Sequence, residues 1–545
     1  MASNISTIDP IIDRQLEYHT IAMTSGASIQ IRPYPATNFT ANGGTTNFNI
    51  SVPSKACFTD KCVQLEINGH AAYVGTTTPQ FNAGYDALRA NPINSCIINT
   101  TFTIGNQSIS QRIQEVLPAL MWYHDNKHIK TSPTYQDRFQ LYSDGVATNK
   151  NSLGLYENTS GEEQRGAFPI SGLSITSTTA AGFDFKLVES LFMSPFEDTM
   201  DTSLGFSNIP QMSFEITWGS LDRMLSHTDY PSQIATSATV TFLSAPILWM
   251  RHVIPKVAVP RQLQYKHQQI VSYPTLVSSA LVPNASATVV ANNIQVDRVP
   301  SKLYLYACLP PSVKTYSQTD TFLAITNVSV QFDNIPNQLS NCSVPILYQI
   351  SKENGCRQSY AEFAGTSVNT AGTSVLGTTG SVFCAKFGTQ IMCQAMPNEV
   401  YATNLQVQAT IKNVNQSDTL TGVNLYVVVV YDLKIVIGED GVVQMHNGID
   451  HSLPSTYKAL PEIRKMEGGS ILSDVGKFAK EDILPMAKEI APIVLPLVMQ
   501  ALMAGAGSQV AGAQVAGQMV AGDIGGSFGG KGMSEKQLLE ALKRR

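Results

Sequence analysis

The chain is 545 residues long, which exceeds what one hydrophobic core supports and predicts two or three domains. Only 14% of its residues are charged, while 43% are hydrophobic. Ordinary soluble proteins carry about 25% charged residues, and replacement of charge by Ser, Thr, Asn and Gln favours short strands, turns and surfaces that pack against copies of the same chain. The formal net charge of −5 argues against a body that binds nucleic acid strongly, and abundant aromatic and β-branched residues argue against a disordered coat.

The cysteines and the apolar segments indicate the compartment of the chain. The eight cysteines form no C-x-x-C pair and mostly lie in strand-like runs, so we expect buried free thiols in a reducing compartment. They are Cys57, Cys62, Cys96, Cys308, Cys342, Cys356, Cys384 and Cys393. The first residues lack a basic stretch followed by an apolar run, and no uninterrupted apolar run reaches about 18 residues, so we expect neither a secretory signal nor a membrane span.

An arm and a first β domain open the chain. Residues 1–40 are polar and lack a sustained period, which predicts an extended arm that either lies across neighbouring subunits or remains a loose terminus. Residues 41–255 predict the first domain, where TNFNISVPS places Phe48, Ile50 and Val52 on one face of a strand. Such runs recur at roughly 8–15 residue spacing, which is typical of a β-sandwich or jelly roll.

Several features interrupt the strands of this domain. Residues 110–145 begin with helical spacing and become irregular, which predicts a long insertion or loop between strands. A short helix is predicted over Ser220–His227, with its first residue as the N-cap. Trp218 and Trp249 lie in strand-like runs and are expected in the core or at a sheet edge, whereas Trp122 is expected at a subunit contact.

A basic connector punctuated by prolines leads to a second β domain. Residues 256–275 are predicted as the linker. The basic stretch 251–267 could touch nucleic acid, but a solvated linker or one packed in an interface is the better interpretation. Residues 276–440 predict the second domain, which ends in NLYVVVVYDLKIVI, a run typical of a buried sandwich strand. A helix is predicted over Ser351–Phe363, weakened in its middle by Gly355.

The last part of the chain departs from the β pattern. Residues 441–469 are predicted as a linker, and residues 470–545 as a helical, Gly/Ala-rich tail. Within the tail, Ile471–Ala504 has helical spacing broken by prolines, and the final segment SEKQLLEALKRR predicts a short amphipathic helix. The sequence therefore predicts an all-β chain of two tandem domains, with short helices and a helical C-terminal tail.

No constellation of side chains indicates catalysis. His124 and His128 are four residues apart and could share a metal on a helix, but no third ligand is in view, and surface-loop histidines are the better interpretation. Two pairs of neighbouring carboxylates lie in polar loops, where nothing isolates them for acid–base work. They are Glu162 with Glu163 and Asp198 with Asp201. No G-x-S-x-G, P-loop or G-x-G-x-x-G motif occurs, so we predict no enzyme activity, no cofactor and no metal site.

Four short patterns follow one another in the second domain, from a V-P-S-K strand start to an F-A-G ending. They are Val299–Lys302, Thr319–Ile325, Leu347–Gly355 and Phe363–Gly365. This order resembles the double jelly-roll major capsid proteins of Polinton-like viruses, adintoviruses and virophages, in the adenovirus-like lineage. The likeness extends more loosely into the first domain, through FNISVPSK for example, and covers about residues 40–440.

The resemblance implies two jelly rolls, each an eight-stranded β-sandwich, in one chain. Three chains would form a pseudo-hexagonal capsomer of an icosahedral DNA-virus shell, with neighbouring capsomers and penton or minor capsid proteins as further partners. The implied location is the virion, after synthesis inside a host cell. A minor capsid or spike protein is the alternative in this class. A β-sandwich adhesin or lectin, from a different class, would need a secretory signal and disulfides.

A short motif before the tail resembles the adenovirus-type maturation protease site, in which Met, Ile or Leu is followed by any residue and then Gly-Gly. Here Met466 precedes Gly468 and Gly469, and Ser470 follows. Small residues suit a substrate that threads a narrow protease groove. Cleavage after Gly469 would free residues 470–545, which could then contact an internal membrane or the genome. A chance match in a flexible linker is the alternative.

Overall fold

Antiparallel strands make up most of the described part of the chain. The computed structural model describes residues 28–55, 57–75, 86–89, 91–123, 167–169, 180–193, 205–227, 235–254, 263–316, 322–368, 375–394, 400–414, 419–438 and 440–446. Within these ranges, strands β1 to β23 form six sheets. Every pairing between these strands is antiparallel.

The first jelly roll is built from strands β1 to β12. Their bounds are β1 Ser28–Pro35, β2 Thr45–Ser51, β3 Phe58–Gly75, β4 Asp86–Arg89, β5 Ile97–Ile104, β6 Gln107–Gln111, β7 Ala167–Pro169, β8 Ala180–Ser190, β9 Gln211–Trp218, β10 Leu225–His227, β11 Ala235–Phe242 and β12 Ile247–Ile254. One sheet has the order β1-β12-β3-β11, with β8 also paired to β3, and the other has the order β2-β9-β5-β6. Three short strands add a small sheet, β10-β4-β7.

The second jelly roll is built from strands β13 to β23. Their bounds are β13 Leu263–Leu276, β14 Ser286–Arg298, β15 Lys302–Cys308, β16 Ala324–Phe332, β17 Ile335–Gln338, β18 Thr366–Val368, β19 Val375–Gly377, β20 Phe383–Lys386, β21 Val400–Lys412, β22 Asn424–Ile437 and β23 Val443–His446. Its sheets have the orders β13-β22-β15-β20, with β23 paired to β22, and β14-β21-β16-β17, beside a small β18-β19 pair.

The strand orders of the two domains correspond position by position. The order β13-β22-β15 repeats β1-β12-β3, and the order β14-β21-β16-β17 repeats β2-β9-β5-β6. In both domains an early strand pairs with a late one, which is the Greek-key connection of a jelly roll. The predicted fold class, all-β with two tandem jelly rolls, is confirmed.

Strand β2 illustrates how alternation builds the first core. Thr46, Phe48 and Ile50 are buried while the residues between them are not, because successive side chains of a strand point to opposite faces. The predicted face carrying Phe48 and Ile50 is confirmed, and Val52 follows the end of the strand. Trp218 Nε1 donates to Thr46 Oγ1 at 2.9 Å, which places that tryptophan in the core as expected.

Strand β22 is apolar on both faces. Leu425, Val427 and Val429 pack in the core of the second jelly roll, while Val428 and Val430 point the other way, and all five are buried. The near-continuous apolar run therefore forms the buried strand that was predicted. A sheet buried on both faces needs a second layer of protein against its outer face.

Three predicted segments outside the domains contain strands. β13 pairs with β22 along its whole length, so the predicted linker 256–275 is wrong from residue 263 onward. β1 lies inside the predicted arm 1–40, and β23 lies inside the predicted linker 441–469. β1 and β13 were not predicted as strands because they contain polar residues and prolines, which edge strands tolerate.

Four α-helices lie in the described residues: α1 Pro92–Cys96, α2 Ile113–Tyr123, α3 Val344–Glu353 and α4 Tyr360–Ala364. The interval 110–145, predicted as an insertion or loop, thus contains helix α2, and residues 124–145 lie outside the described residues. Over Ser220–His227, predicted as a helix, a 3-10 turn at Leu221–Met224 passes directly into β10, and the first residue makes no side-chain capping bond.

The helix predicted over Ser351–Phe363 is two helices. Between α3 and α4, Gly355 has a φ of +95°, a left-handed conformation that ends an α-helix and that glycine adopts at little cost. The chain resumes helical structure after Ser359, whose side chain accepts from Glu362 N while the Glu362 side chain accepts from Ser359 N. This reciprocal capping box starts α4.

The apolar residues of the described ranges lie mainly in strands and short helices. None of the helices in the ranges given above combines the length and the apolar character that crossing a membrane requires. Seven cysteines of these ranges are free thiols, and five of them are buried, as their strand-like runs predicted. The predicted helical tail lies outside the described residues.

Candidate assembly surfaces

Surfaces, rather than a reactive centre, are the functional candidates of this fold. The described residues hold no group of three or more side chains suited to a metal ion. Both histidines and both carboxylate pairs weighed in the sequence lie outside the described residues, as does the motif Met466–Ser470. Two surfaces stand out: the contact between the two jelly rolls and the exposed edge at β1.

Helix α2 lies between the two jelly rolls. Val116 and every residue from Leu117 to Tyr123 are buried, so the helix is apolar all round from Val116 onward and has no solvent face there. Trp122 was expected at a subunit contact, and this is wrong, because its side chain is 2% exposed and packs inside the chain. We name the contact between α2 and the outer face of sheet β13-β22-β15-β20 the seam.

The second jelly roll meets the seam with aromatic side chains. On β15, Tyr304 and Tyr306 point away from the core of their own domain and into the cluster that contains α2. The ring centroids of Tyr123 and Tyr304 are 5.0 Å apart, and Tyr306 stacks on Tyr426 at 5.2 Å. Stacked and tilted rings of this kind add attraction beyond their buried area, so the seam has the character of a domain core.

Hydrogen bonds fix the alignment of the seam. The Tyr123 hydroxyl donates to Val382 O at 2.7 Å, and Arg357 N donates to Trp122 O at 3.2 Å. Burial raises the pKa of Tyr123 well above its ordinary value, because the phenolate would lose its hydration. The hydroxyl therefore stays protonated and remains a donor at every pH the protein meets.

Hydrogen bonds that do not involve α2 also join the jelly rolls. Arg223 Nη1 donates to Thr315 O at 2.9 Å, and Val443 N donates to Asn106 Oδ1 at 3.1 Å. Asn106 belongs to the two-residue turn with Gly105, whose φ is +57°. With these contacts in addition to the seam, the two jelly rolls form one body.

The outer face of sheet β1-β12-β3-β11 is polar, unlike the seam. Glu66 accepts from Lys186 Nζ at 2.7 Å and from Trp249 Nε1 at 2.9 Å. His70 Nδ1 lies 2.6 Å from Asp184 Oδ1 on the neighbouring strand. These side chains satisfy one another across strands, so this face is stable without a cover.

Strand β1 at the edge of this sheet is exposed along most of its length. Its outer face carries Ile29, which is 51% exposed, and Ile31, which is 66% exposed. Other exposed apolar side chains, such as Met392 and Val400 on the second jelly roll, occur singly, as is common on protein surfaces. On β1 the two isoleucines combine with a sheet edge.

A buried histidine anchors β1 from the inside. The Tyr34 hydroxyl lies 2.8 Å from His252 Nε2, and His252 Nδ1 lies 3.0 Å from Thr59 Oγ1. Burial lowers the pKa of His252 to about 4, and the nearby Arg32 cation acts in the same direction. The neutral ring donates from one nitrogen and accepts at the other, so it ties β1 to β3 without a charge.

Sequence reasoning missed the seam. The signal that could have revealed it is the apolar run KLYLYAC of β15, where both faces of one strand are hydrophobic. One face must then serve a second layer, and α2, with its aromatic and aliphatic residues all round, is the layer the chain supplies.

Two family models match the chain in tandem. The model described as the Sputnik virophage major capsid protein 1st domain matches residues 8–250, and the model described as the major capsid protein V20 C-terminal domain matches residues 270–432. The putative capsid protein V20 of Sputnik virophage is 27% identical over 466 residues, which cover 79% of this chain and 78% of that protein. The matches thus extend over both jelly rolls.

Solved virophage structures share this architecture. A chain of the 3.5 Å cryo-EM structure of Sputnik virophage superposes with a TM-score of 0.68 at 25% identity, covering 82% of this chain and 93% of its own. The crystal structure of the mavirus major capsid protein gives a TM-score of 0.62 at 16% identity, with 77% and 90% covered. The second likeness is one of fold.

Fold, seam and matches together define a double jelly-roll viral capsid protein. More particularly, the chain is a major capsid protein of the virophage type, and its location is the virion. The resemblance, the function and the location expected from the sequence are confirmed at this level. Its relatives are structural proteins of the capsid.

Proposed function

We propose that three copies of this chain form a pseudo-hexagonal capsomer, and that capsomers build an icosahedral shell with penton or minor capsid proteins. The observation that carries this proposal is the seam, which joins two jelly rolls of the same strand order into one body. Three two-lobed bodies around a threefold axis have six similar lobes, and such an outline packs on a hexagonal lattice.

The proposed mechanism is association without catalysis. The lobes are residues 41–255 together with β1, and residues 276–440 together with β13. A chain with 14% charged residues leaves large surfaces that can be covered without burying unpaired charge, which would be costly. Shell formation then follows from burial of apolar and hydrogen-bonding surface between copies.

The native mass of the full chain tests this proposal. Light scattering on the purified protein is expected to give about three times the chain mass of 59.0 kDa, and electron microscopy of concentrated material is expected to show shells. A monomer at micromolar concentration contradicts the capsomer. Trimers that form shells only when a second capsid protein is added favour the alternative, a minor capsid or spike protein.

We further propose that a viral maturation protease cleaves after Gly469. The support is the sequence Met466, Gly468, Gly469 and Ser470 in its adenovirus-type spacing. Mass spectrometry of the chain from purified virions is expected to find a C-terminus at Gly469. Gly469→Val should abolish this product, whereas Gly526→Val, in a Gly-Gly pair that has Asp523 at the position where the motif requires Met, Ile or Leu, should leave it unchanged. A full-length chain in mature virions contradicts the cleavage.

The freed segment 470–545 is proposed to contact an internal membrane, because Ile471–Ala504 becomes almost wholly apolar along its length. Flotation of this peptide with lipid vesicles, and not its retention on double-stranded DNA, is the expected result. Retention on DNA alone would assign the segment to the genome instead.

A further inference from the structure

The outer edge of β1 carries backbone groups that point away from the sheet. Ala36 N donates to Pro246 O at 2.8 Å, directly after the paired stretch of β1 and β12. In an antiparallel ladder, residues that exchange hydrogen bonds with one neighbour alternate with residues that face away from it. Counting back from Ala36, Gln30 bonds to β12, while Ile29 and Ile31 direct their N–H and C=O groups outward.

The prolines of β1 support this assignment. Pro33 and Pro35 fall in the same outward register as Ile29 and Ile31, and proline in a strand is confined to positions whose N–H is not needed by the ladder. They also mark the end of the stretch with outward N–H donors, because proline has no backbone N–H. The outward donors of β1 are therefore concentrated at its N-terminal half, Ser28–Arg32.

The same two residues carry the exposed side chains. Ile29 and Ile31, 51% and 66% exposed, lie on one face of an edge strand that pairs only with β12 among the described strands. An exposed apolar edge of this kind is a template for pairing with another chain, and monomeric proteins blunt it with charge or proline. In β1 the prolines lie C-terminal to Ile29 and Ile31 and do not interrupt this exposed stretch. The charged side chain of Arg32 bonds to the Gln30 side chain on the opposite face.

We propose that β1 is a contact site for a second copy of this chain, which adds its own β1 in antiparallel orientation about a twofold axis at Gln30. In this register Ile29 of each copy lies opposite Ile31 of the other. Each copy then donates from both isoleucine N–H groups to the facing carbonyls, and the four isoleucine side chains form one cluster. The two outer sheets become one continuous sheet across the axis.

The self-complementary order of the segment favours a second copy as the occupant. With Gln30 on the axis, Arg32 lies opposite Ser28, so no like charges meet, and every outward donor of one copy meets an outward acceptor of the other. Glu66, two strands in from this edge on β3, is already paired with Lys186. The inference rests on the proposed function in one respect: shell assembly brings copies of this chain together across twofold positions.

The contact is small against the roughly 1,200–2,000 Å² of a stable protein interface. We therefore expect weak pairing of isolated capsomers and strong pairing in a shell, where each capsomer makes several such contacts at once. This places β1 between capsomers rather than within one.

Disulfide trapping tests the register. In the proposed pair, position 30 faces itself at a Cα separation of about 4.5 Å, which a disulfide can bridge. We expect Gln30→Cys, in the full chain under mild copper–phenanthroline oxidation of concentrated capsomers, to give a covalent dimer on a non-reducing gel, on the order of tenfold above the matched Ser28→Cys. Wild-type protein, whose described cysteines are free, corrects for its own thiols.

Removal of the outward N–H of Ile31 tests how much the intercopy hydrogen bonds contribute to association. Ile31→Pro deletes an N–H that makes no bond inside the chain, and so removes half of the intercopy hydrogen bonds while the melting temperature is retained. We expect capsomer–capsomer association in sedimentation velocity to weaken by about 30-fold. Ile31→Lys, which keeps the N–H and adds like charges across the axis, should weaken association as well and serves if the proline variant loses its fold.

The outcomes separate the inference from the proposed function. Trimers in wild-type protein with no trapping at position 30, or with full association of both Ile31 variants, overturn the β1 contact and leave the capsomer intact. Failure of the wild-type chain to form trimers overturns the capsomer. Equal trapping at positions 28 and 30 overturns the register and with it the proposal.

Discussion

Strands β1 and β13 occupy the same position in the two jelly rolls, yet their surroundings differ. Each lies at the edge of its sheet, paired to β12 and β22 respectively. β13 is covered at its N-terminal end, because the Tyr265 hydroxyl donates to Gly205 O at 3.0 Å and accepts from Ser207 N at 3.1 Å in the first jelly roll. β1 has Ile29 and Ile31 in solvent.

The difference indicates where each sheet edge finds its partner. Within the chain, the first jelly roll covers the outer face of the second jelly roll's sheet through the seam, together with the N-terminal end of the edge strand β13. The first jelly roll leaves the equivalent strand open, and its outer face is made self-sufficient by polar pairs such as Glu66 with Lys186. The second lobe thus has the outer face of its sheet covered within the chain, whereas the first lobe leaves its edge strand open for a contact made on assembly.

The largest expected effect contrasts the outer faces of the two equivalent sheets. Val428 on β22 is fully buried at the seam, whereas Thr239 on β11 is exposed on the polar face. Val428→Asp should cost about 4 kcal/mol or more of folding free energy, since it buries an unpaired carboxylate. Thr239→Asp should change it by less than about 0.5 kcal/mol. Urea unfolding followed by tryptophan fluorescence measures both, and equal costs would contradict the seam.

A smaller contrast concerns two tryptophans. Trp122 is buried in α2, whereas Trp249 lies on the outer face and donates to Glu66 Oε2. We expect Trp122→Ala to lower the free energy of unfolding by about 3–5 kcal/mol, because it leaves a large cavity, and Trp249→Ala by about 1 kcal/mol. Thermal unfolding by calorimetry compares them. If Trp122→Ala were the milder change and altered the native mass instead, the tryptophan would belong to a subunit contact.

The sequence predicted the domains better than it predicted their contact. Alternation in β2 and the apolar run of β22 are local patterns, and each identified its strand. The edge strands β1 and β13 escaped prediction, because an edge strand needs neither alternation nor freedom from proline. The seam was not predicted because its partners, Tyr123 and Tyr304 for example, are separated by a whole domain in sequence, and only the folded chain brings them together.

Acid should weaken the anchor of β1 before it affects the seam. The pKa of His252 is lowered to about 4 in the folded protein, against about 6.5 in the unfolded chain. The unfolded state therefore binds the proton first as the pH falls, and stability is lost between about pH 6.5 and pH 4, by at most about 3 kcal/mol. His252→Gln keeps a hydrogen-bonding side chain without the titration, and should flatten this part of the curve.

Denaturation midpoints in urea between pH 7 and pH 4 compare the two proteins. Carboxylates titrate in both, so the difference between the curves isolates His252. Parallel curves would show that the histidine does not carry the acid sensitivity. In the seam the equivalent hydrogen bond uses Tyr123, whose pKa is raised by burial, so acidification leaves that bond unchanged.

The smallest expected effects come from removing one tyrosine hydroxyl at the seam and one at β1. Tyr123→Phe deletes the bond to Val382 O at the buried seam, and Tyr34→Phe deletes the bonds to His252 and to Ser51 O at the half-exposed β1. We expect Tyr123→Phe to cost about 1–2 kcal/mol, because the Val382 carbonyl is left without its partner away from water, and Tyr34→Phe to cost less, about 0.5 kcal/mol, because water can replace the hydroxyl there.

Hydrogen exchange distinguishes the two losses by location as well as by size. After Tyr34→Phe, faster exchange should be confined to the amides that β1 shares with β12, since an edge strand can open locally without global unfolding. After Tyr123→Phe, it should spread over the amides of both jelly rolls, because a seam that holds the two lobes as one body opens only when that body does. Local exchange in both variants would mean that the lobes are coupled no more tightly than β1 is to its sheet.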